Sequence, residues 1–290
     1  MATRRGQLEL DGFVHLSGFL DPRAVATIAA ELDRFDRPPH LCETPAVAEV
    51  LFSDRVVSLA TELLGDDPVA FPDHAIQLSG GSFGYHKDNV DRLDPTGPDW
   101  DGPYRLLRFG VYLEDYAGRS GSLAVQPGSH RGVHYAGRAV NVATRPGDLV
   151  VWYSTLTHAA NSPAWGWAPS RAVRVPVNNR QVAKLTCQLA RRSWPGVLPW
   201  PTRRRVVFFP FAARSLEVAR FVSLVLHRRY YRDWLRADPA RGSAPAQCGL
   251  PWFNPFPLLD RADPELVREG FYQSVASAAA GQLADLVTFH

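Results

Sequence analysis

The sequence predicts a mainly β protein: a sandwich or jelly-roll core, with helices flanking it on the N-terminal side and a helical C-terminal extension. Three observations predict this. Between about residues 69 and 180, short runs rich in Val, Leu, Ile and aromatics are separated by Gly, Pro, Asn or Asp, as expected for many short strands joined by turns. Ahead of them, apolar residues recur at helical spacing. The 24 prolines and 22 glycines show no period, so they mark turns rather than collagen or low complexity.

Taken in order, "DGFVHLSGFLDPRAVATIAAELDRF" reads as a short strand and then a helix. Asp21 is a suitable N-cap, Pro22 suits the first helical position, and Val25, Ile28, Ala29 and Leu32 share one face. A second helix runs from about Asp54 to Leu64 and stops at Gly65. The strand candidates are "VAFPDHAIQL", "YRLLRFGVYLED", "GSLAVQPGS", "AVNVATRPGDLVVWYS" and "SRAVRVPVNNR". After Arg180 the character changes. "RSLEVARFVSLVLHRRYYRDWLRA" is helical in pattern, and a last helix starts at Asp263 and Pro264. No stretch has the length and composition of a flexible linker. The expected organisation is one domain over 1–290, with a core over about 8–180 and an extension over about 181–290.

With 46% hydrophobic and 21% charged residues, the chain has the composition of a water-soluble globular protein with a full core. The three cysteines, Cys42, Cys187 and Cys248, are far apart and form no CxxC pair. That excludes a disulfide framework and points to a reducing, cytoplasmic setting. "MATRRGQLELDGF" lacks the apolar run of a secretory signal, and "FVSLVL" is too short to span a bilayer. The net charge of +3 is uneven: residues 181–241 carry thirteen Lys or Arg against three acids. This basic stretch suits an anionic carrier or partner, or arginines that pair with the more acidic core and cover it with their stems. No nucleic-acid-binding motif accompanies it.

The chemistry rests on "FGYHKDNVD", residues 83–91. On a strand, His86 and Asp88 point to the same side. A second imidazole from another strand would complete a 2-His-1-carboxylate triad, which holds a metal on one face and leaves the opposite positions open. His158, just past the apolar run Leu149–Trp152, is the candidate. Arg171 follows thirteen residues later, at the head of "RAVRVPV", where a guanidinium is suited to bind a carboxylate in a bidentate way.

This order resembles the Fe(II)/2-oxoglutarate-dependent oxygenases, and among them the phytanoyl-CoA dioxygenase family. "DGFVHLSGFLDPRAVATI", "YHKDN", "GSLAVQPGSHRG" and "PGDLVVWYSTLTHAANSPAWGWAPSRAVRVPV" carry the resemblance over roughly residues 8–180. It implies a double-stranded β-helix of the jelly-roll, cupin-like kind. It also implies that His86, Asp88 and His158 bind iron, and that Arg171 holds the distal carboxylate of 2-oxoglutarate. Gln77 stands where some members place a polar group against the cosubstrate. The implied reaction uses dioxygen, turns 2-oxoglutarate into succinate and carbon dioxide, and oxidises an aliphatic C–H of a small molecule, by hydroxylation in the first instance. Specialised biosynthesis is the implied setting. A carboxylate at Asp88 speaks against halogenation, since the related halogenases lack that ligand.

Other residues have alternative readings. Arg174 rivals Arg171 and faces the opposite side of its strand. His130 and His134 belong to a turn rather than to the metal site. His74 is structural or lines the pocket. Trp152 is a core or pocket residue, and Trp165 and Trp167 lie in a loop suited to substrate contacts. Two other functions fit the same residues: a non-catalytic ligand-binding protein on this fold, and a zinc-dependent hydrolase built on the His-Asp-His set. The second leaves Arg171 without a task.

Overall fold

The structure is a computed structural model. It describes residues 3–39, 41–65, 68–70, 73–78, 85–116, 123–133, 137–160, 204–213 and 215–226. The chain begins with helix α1 (Arg4–Asp11), which the sequence reading did not anticipate. The Thr3 side chain caps it by accepting from the Gly6 N–H, and Gly12, with φ 83°, ends it. Strand β1 (Phe13–Leu16) and helix α2 (Pro22–Leu32) follow as expected, with the Asp21 carboxylate accepting from the Ala24 N–H at 2.8 Å. Helix α3 (Pro45–Leu51) is a second unanticipated element. Helix α4 (Asp54–Leu64) ends at Gly65, φ 71°, where the sequence placed its stop.

The strands are β2 (Val69–Ala70), β3 (Ala75–Gln77), β4 (Leu106–Tyr112), β5 (Leu123–Val125), β6 (Val140–Val142), β7 (Leu149–Tyr153), β8 (His158–Ala160) and β9 (Val206–Ala212). They form two antiparallel sheets. The larger runs β1-β7-β4-β9-β2, with β3 also paired to β9, and the smaller runs β6-β5-β8. Helix α5 (Leu216–Leu226) follows β9, within the stretch read as helical. The basic run from residue 227 and the helix expected at Asp263 lie outside the described residues, as do "SRAVRVPVNNR", Arg171, Arg174, His134, Trp165 and Trp167.

Alternation along β4 and β9 separates two cores. Leu107, Phe109 and Val111 of β4 and Val207, Phe209 and Phe211 of β9 pack on Ile28, Leu32, Val47, Leu51, Val56 and Leu59 of the helices. Burying each such aromatic ring stabilises the fold by about 1.5–3 kcal/mol. The opposite face turns Tyr112, Val206, Val150 and Trp152 towards Leu123, Val125 and Val142 of the small sheet. Both faces are covered, which explains why these strands read as near-continuous apolar runs. Gly110 lies on the inner face, where a Cβ would come within 3.0 Å of the Phe208 ring and 3.1 Å of the Trp152 ring. Strand β9 joins the large sheet from beyond the core boundary set at about residue 180. Its pairing with both β3 and β4 makes residues 206–212 part of the core.

Candidate metal centre

His86 and His158 come together through an isolated antiparallel bridge, each N–H donating to the other's carbonyl at 2.9 Å. The Asp88 N–H donates to the Ser154 carbonyl at 2.8 Å. These bonds fix the two segments side by side on the inner face. His86 Nε2 lies 3.5 Å from Asp88 Oδ1, and His158 Nε2 lies 3.6 Å from Asp88 Oδ2. The imidazole centroids are 4.4 Å apart, and one donor atom from each of the three residues falls within 4.8 Å of the others. His158 Nδ1 donates to the Leu156 carbonyl at 3.0 Å. That bond places the proton on Nδ1 and leaves the Nε2 lone pair facing Asp88, as a metal ligand requires. Burial keeps His158 below its ordinary pKa against the pull of Asp88, so the ring is neutral at pH 7.

The residue between His86 and Asp88 turns away from them. Lys87 is buried, and its ammonium donates to the carbonyls of Ser129 and of Thr155, the latter at 2.6 Å. Burial pulls it down to about 7. Ser129 also accepts from the Thr157 N–H through its hydroxyl at 2.8 Å. The Pro127-Gly128-Ser129 turn, with Gly128 at φ 80°, therefore ties the His86–Asp88 segment to the His158 segment. His130 stays out of the site, as expected. Its Nε2 lies 3.2 Å from the Glu9 carbonyl and its ring stacks on Tyr153.

Arg108, on the inner face of β4, was not anticipated. Its Nε sits 3.4 Å from Asp88 Oδ2, its Nη1 donates to the Asp73 carbonyl at 2.7 Å, and its Nη2 donates to the Asp73 carboxylate. A lone cation in the apolar run "LLRFGVY" was the available signal. His74 stands beside this pair, and burial pushes it down to about 4. Trp152 packs in the inner core, and its ring centroid lies 5.4 Å from that of His158.

A second polar group lines the same interior. Arg204 precedes β9 and is fully buried, with its guanidinium 5.8 Å over the Phe208 ring. Gln77 and Tyr112 both stand opposite Val206 on neighbouring strands. Gln77 Oε1 and the Tyr112 hydroxyl are buried with no hydrogen-bond partner among the described residues. The other arginines of this basic stretch that can be followed pair inwards. Arg205 Nε meets Glu114 at 2.7 Å and Arg205 Nη1 meets Asp33 at 3.0 Å, while Arg220 binds Asp91 and Asp99.

Burial of imidazoles makes the fold sensitive to acid. His74 and His130 are held at about 4 and His158 is lowered, each chiefly by burial, against an ordinary value of 6.5. Between 6.5 and 4 the unfolded chain takes up protons that the folded chain refuses, so stability is present above this window and is lost as pH falls through it. Asp99, raised to about 6 by burial, opposes this over part of the window. Three imidazoles outweigh one carboxyl. The urea midpoint of the metal-free protein should therefore fall steadily from about pH 6.5 to about pH 4. A constant midpoint would contradict the burial of these rings.

The family model for phytanoyl-CoA dioxygenase (PhyH) matches residues 39–162. No curated protein matches the chain. Among solved structures, HygX from Streptomyces hygroscopicus with nickel and 2-oxoglutarate bound superposes with a TM-score of 0.51, at 16% identity over 71% of this chain and 84% of that one. Its iron-bound form gives 0.51, 16%, 74% and 88%. EctD from S. alaskensis with 2-oxoglutarate and 5-hydroxyectoine gives 0.48, 18%, 73% and 76%. The HygX superposition establishes the fold as the cupin-like one expected from the sequence. The matched segment, less than half of the chain, contains His86, Asp88 and His158 and is what is similar to that family.

Proposed function

We propose that the protein is an Fe(II)/2-oxoglutarate-dependent dioxygenase that oxidises, by hydroxylation, an aliphatic C–H of a small molecule, in a cytoplasmic biosynthetic setting. The observation that carries this reading is the convergence of His86, Asp88 and His158 inside the two-sheet core, with the His158 lone pair turned towards Asp88. Two imidazoles and one carboxylate fit Fe(II) and leave positions open for a chelating cosubstrate and dioxygen. Iron with 2-oxoglutarate and dioxygen would supply the oxidant for an unactivated C–H bond, leaving succinate and carbon dioxide.

The chain supplies orientation and exclusion of water. The Trp152 ring stands beside His158, and the Phe208 ring packs on Trp152. In this reading Arg204 takes the distal carboxylate of 2-oxoglutarate, with Tyr112 and Gln77 beside it. Its burial and its place two residues before Val206 on the inner face support this. Arg171 is the rival that the family spacing favours. A hydrogen-bonded charge pair of this kind contributes about 1.5–3 kcal/mol, roughly 10- to 100-fold in affinity. Succinate release, followed against 2-oxoglutarate concentration, separates the two. Arg204→Ala should raise KM by that factor and Arg171→Ala should leave it near wild type. The reverse result assigns the anchor to Arg171, and no succinate from wild type with any substrate tried argues for the ligand-binding reading.

A further inference from the structure

We propose that Arg108 is a positioning residue that restricts Asp88 to one metal-bound oxygen. This rests on the metal site proposed above. The Asp88 carboxylate stands between three cations or lone-pair donors: Oδ1 faces His86 Nε2 at 3.5 Å, and Oδ2 faces both His158 Nε2 at 3.6 Å and Arg108 Nε at 3.4 Å. A carboxylate with both oxygens available can chelate an ion. It then occupies two positions, and only two of the three that a chelating cosubstrate and dioxygen need remain open. A guanidinium held against one oxygen removes that option. It also balances the carboxylate charge when the site is empty.

Arg108 is built to stay in place. It is only 8% exposed. One edge of its fork is fixed twice by Asp73, through the backbone carbonyl and the carboxylate. The Phe221 ring of α5 covers the guanidinium, with its centroid 5.4 Å from Cζ. Strand β4 is hydrogen-bonded on both sides, to β7 and β9. On the remaining edge, Nε lies 3.4 Å from Asp88 Oδ2, an ion-pair contact without hydrogen-bond geometry. A planar fork can satisfy Asp73 and Asp88 together, which a lysine ammonium cannot do with the same geometry.

The test uses Co(II) in place of iron, because its visible absorption reports coordination number without turnover. The variants are Arg108→Met, Arg108→Lys and the double variant Arg108→Met/Asp73→Asn, which leaves no buried carboxylate stranded if the single variant fails to fold. Loss of a residue that orients a ligand typically costs about 10- to 100-fold in metal affinity or activity. The expected result is Co(II) binding in every folded variant, a spectrum altered from wild type in the Met variants as the second Asp88 oxygen takes a position otherwise left to solvent, and 2-oxoglutarate affinity weakened by about 10-fold or more, partly restored in Arg108→Lys. A folded Met variant with the wild-type spectrum and wild-type 2-oxoglutarate affinity overturns the role of Arg108 alone. A wild-type protein whose Co(II) binding is unaffected by His158→Ala overturns the metal site, and this inference with it.

Discussion

Asp88→Ala is expected to abolish iron-dependent consumption of 2-oxoglutarate while leaving the fold intact. Among the described residues Asp88 is the one carboxylate grouped with the two imidazoles, and without it that group offers two imidazoles and no carboxylate. Losing a second-layer partner already weakens metal binding by about 10- to 100-fold, so losing the ligand itself should exceed roughly 100-fold. The fold should survive because the side chain is 20% exposed and the Asp88 N–H to Ser154 bond is made by the backbone. The variant also removes the Asp88 contact to Arg108 Nε, while the Arg108 bonds to Asp73 remain. Iron affinity, succinate yield and a urea melt decide the matter together. A folded Asp88→Ala protein with wild-type turnover contradicts the assignment of the site.

The second large effect lies in the loop that follows His86 and Asp88. Arg220 of α5 donates to Asp99 Oδ1 at 2.8 Å and to both oxygens of Asp91 at 2.8 and 2.9 Å. All three side chains are buried, at 3%, 5% and 0% exposure for Arg220, Asp91 and Asp99. Asp99 also accepts from Asn89 Nδ2 and the Asp91 N–H, each at 2.9 Å. The stretch from Asn89 to Asp99 is thus anchored to α5 immediately after Asp88. Arg220→Ala strands two buried carboxylates, and breaking such a pair costs about 3–5 kcal/mol. The loss should shrink below pH 6, because Asp99, already raised to about 6 by burial, then protonates. A loss under about 1 kcal/mol at neutral pH would show that these charges are solvated rather than buried.

Much of this was legible in the sequence because it depends on local signals. Asp21-Pro22 and Gly65 fixed the ends of α2 and α4, since capping and left-handed turns are decided within a few residues. The strand pattern gave the two-sheet core, and the order His-x-Asp, then His, gave the three residues that the structure brings together. The missed elements depend on tertiary context. Helix α1 is short and polar in mean composition, and only Leu8 is fully buried. Strand β9 contains Pro210, which lacks a donor and argues against a central strand, yet it pairs between β3 and β4. Arg204 and Arg108 could not be placed from spacing alone. Arg204 belonged to the basic stretch read as meeting an anionic partner or covering the core, and it became an interior residue only when β9 entered the large sheet. Arg108 required knowing that β4 lies beside the His86–Asp88 segment. The inward pairing of Arg205 and Arg220 fits the reading in which the basic stretch serves the acidic core.

The most direct measurement is anaerobic. Apoprotein loaded with Fe(II) and then given 2-oxoglutarate should develop the weak visible metal-to-ligand charge-transfer band of a chelated 2-oxo acid, and His158→Ala should not. Wild-type protein that binds no Fe(II), or that binds it and shows no band on adding 2-oxoglutarate, would contradict the account.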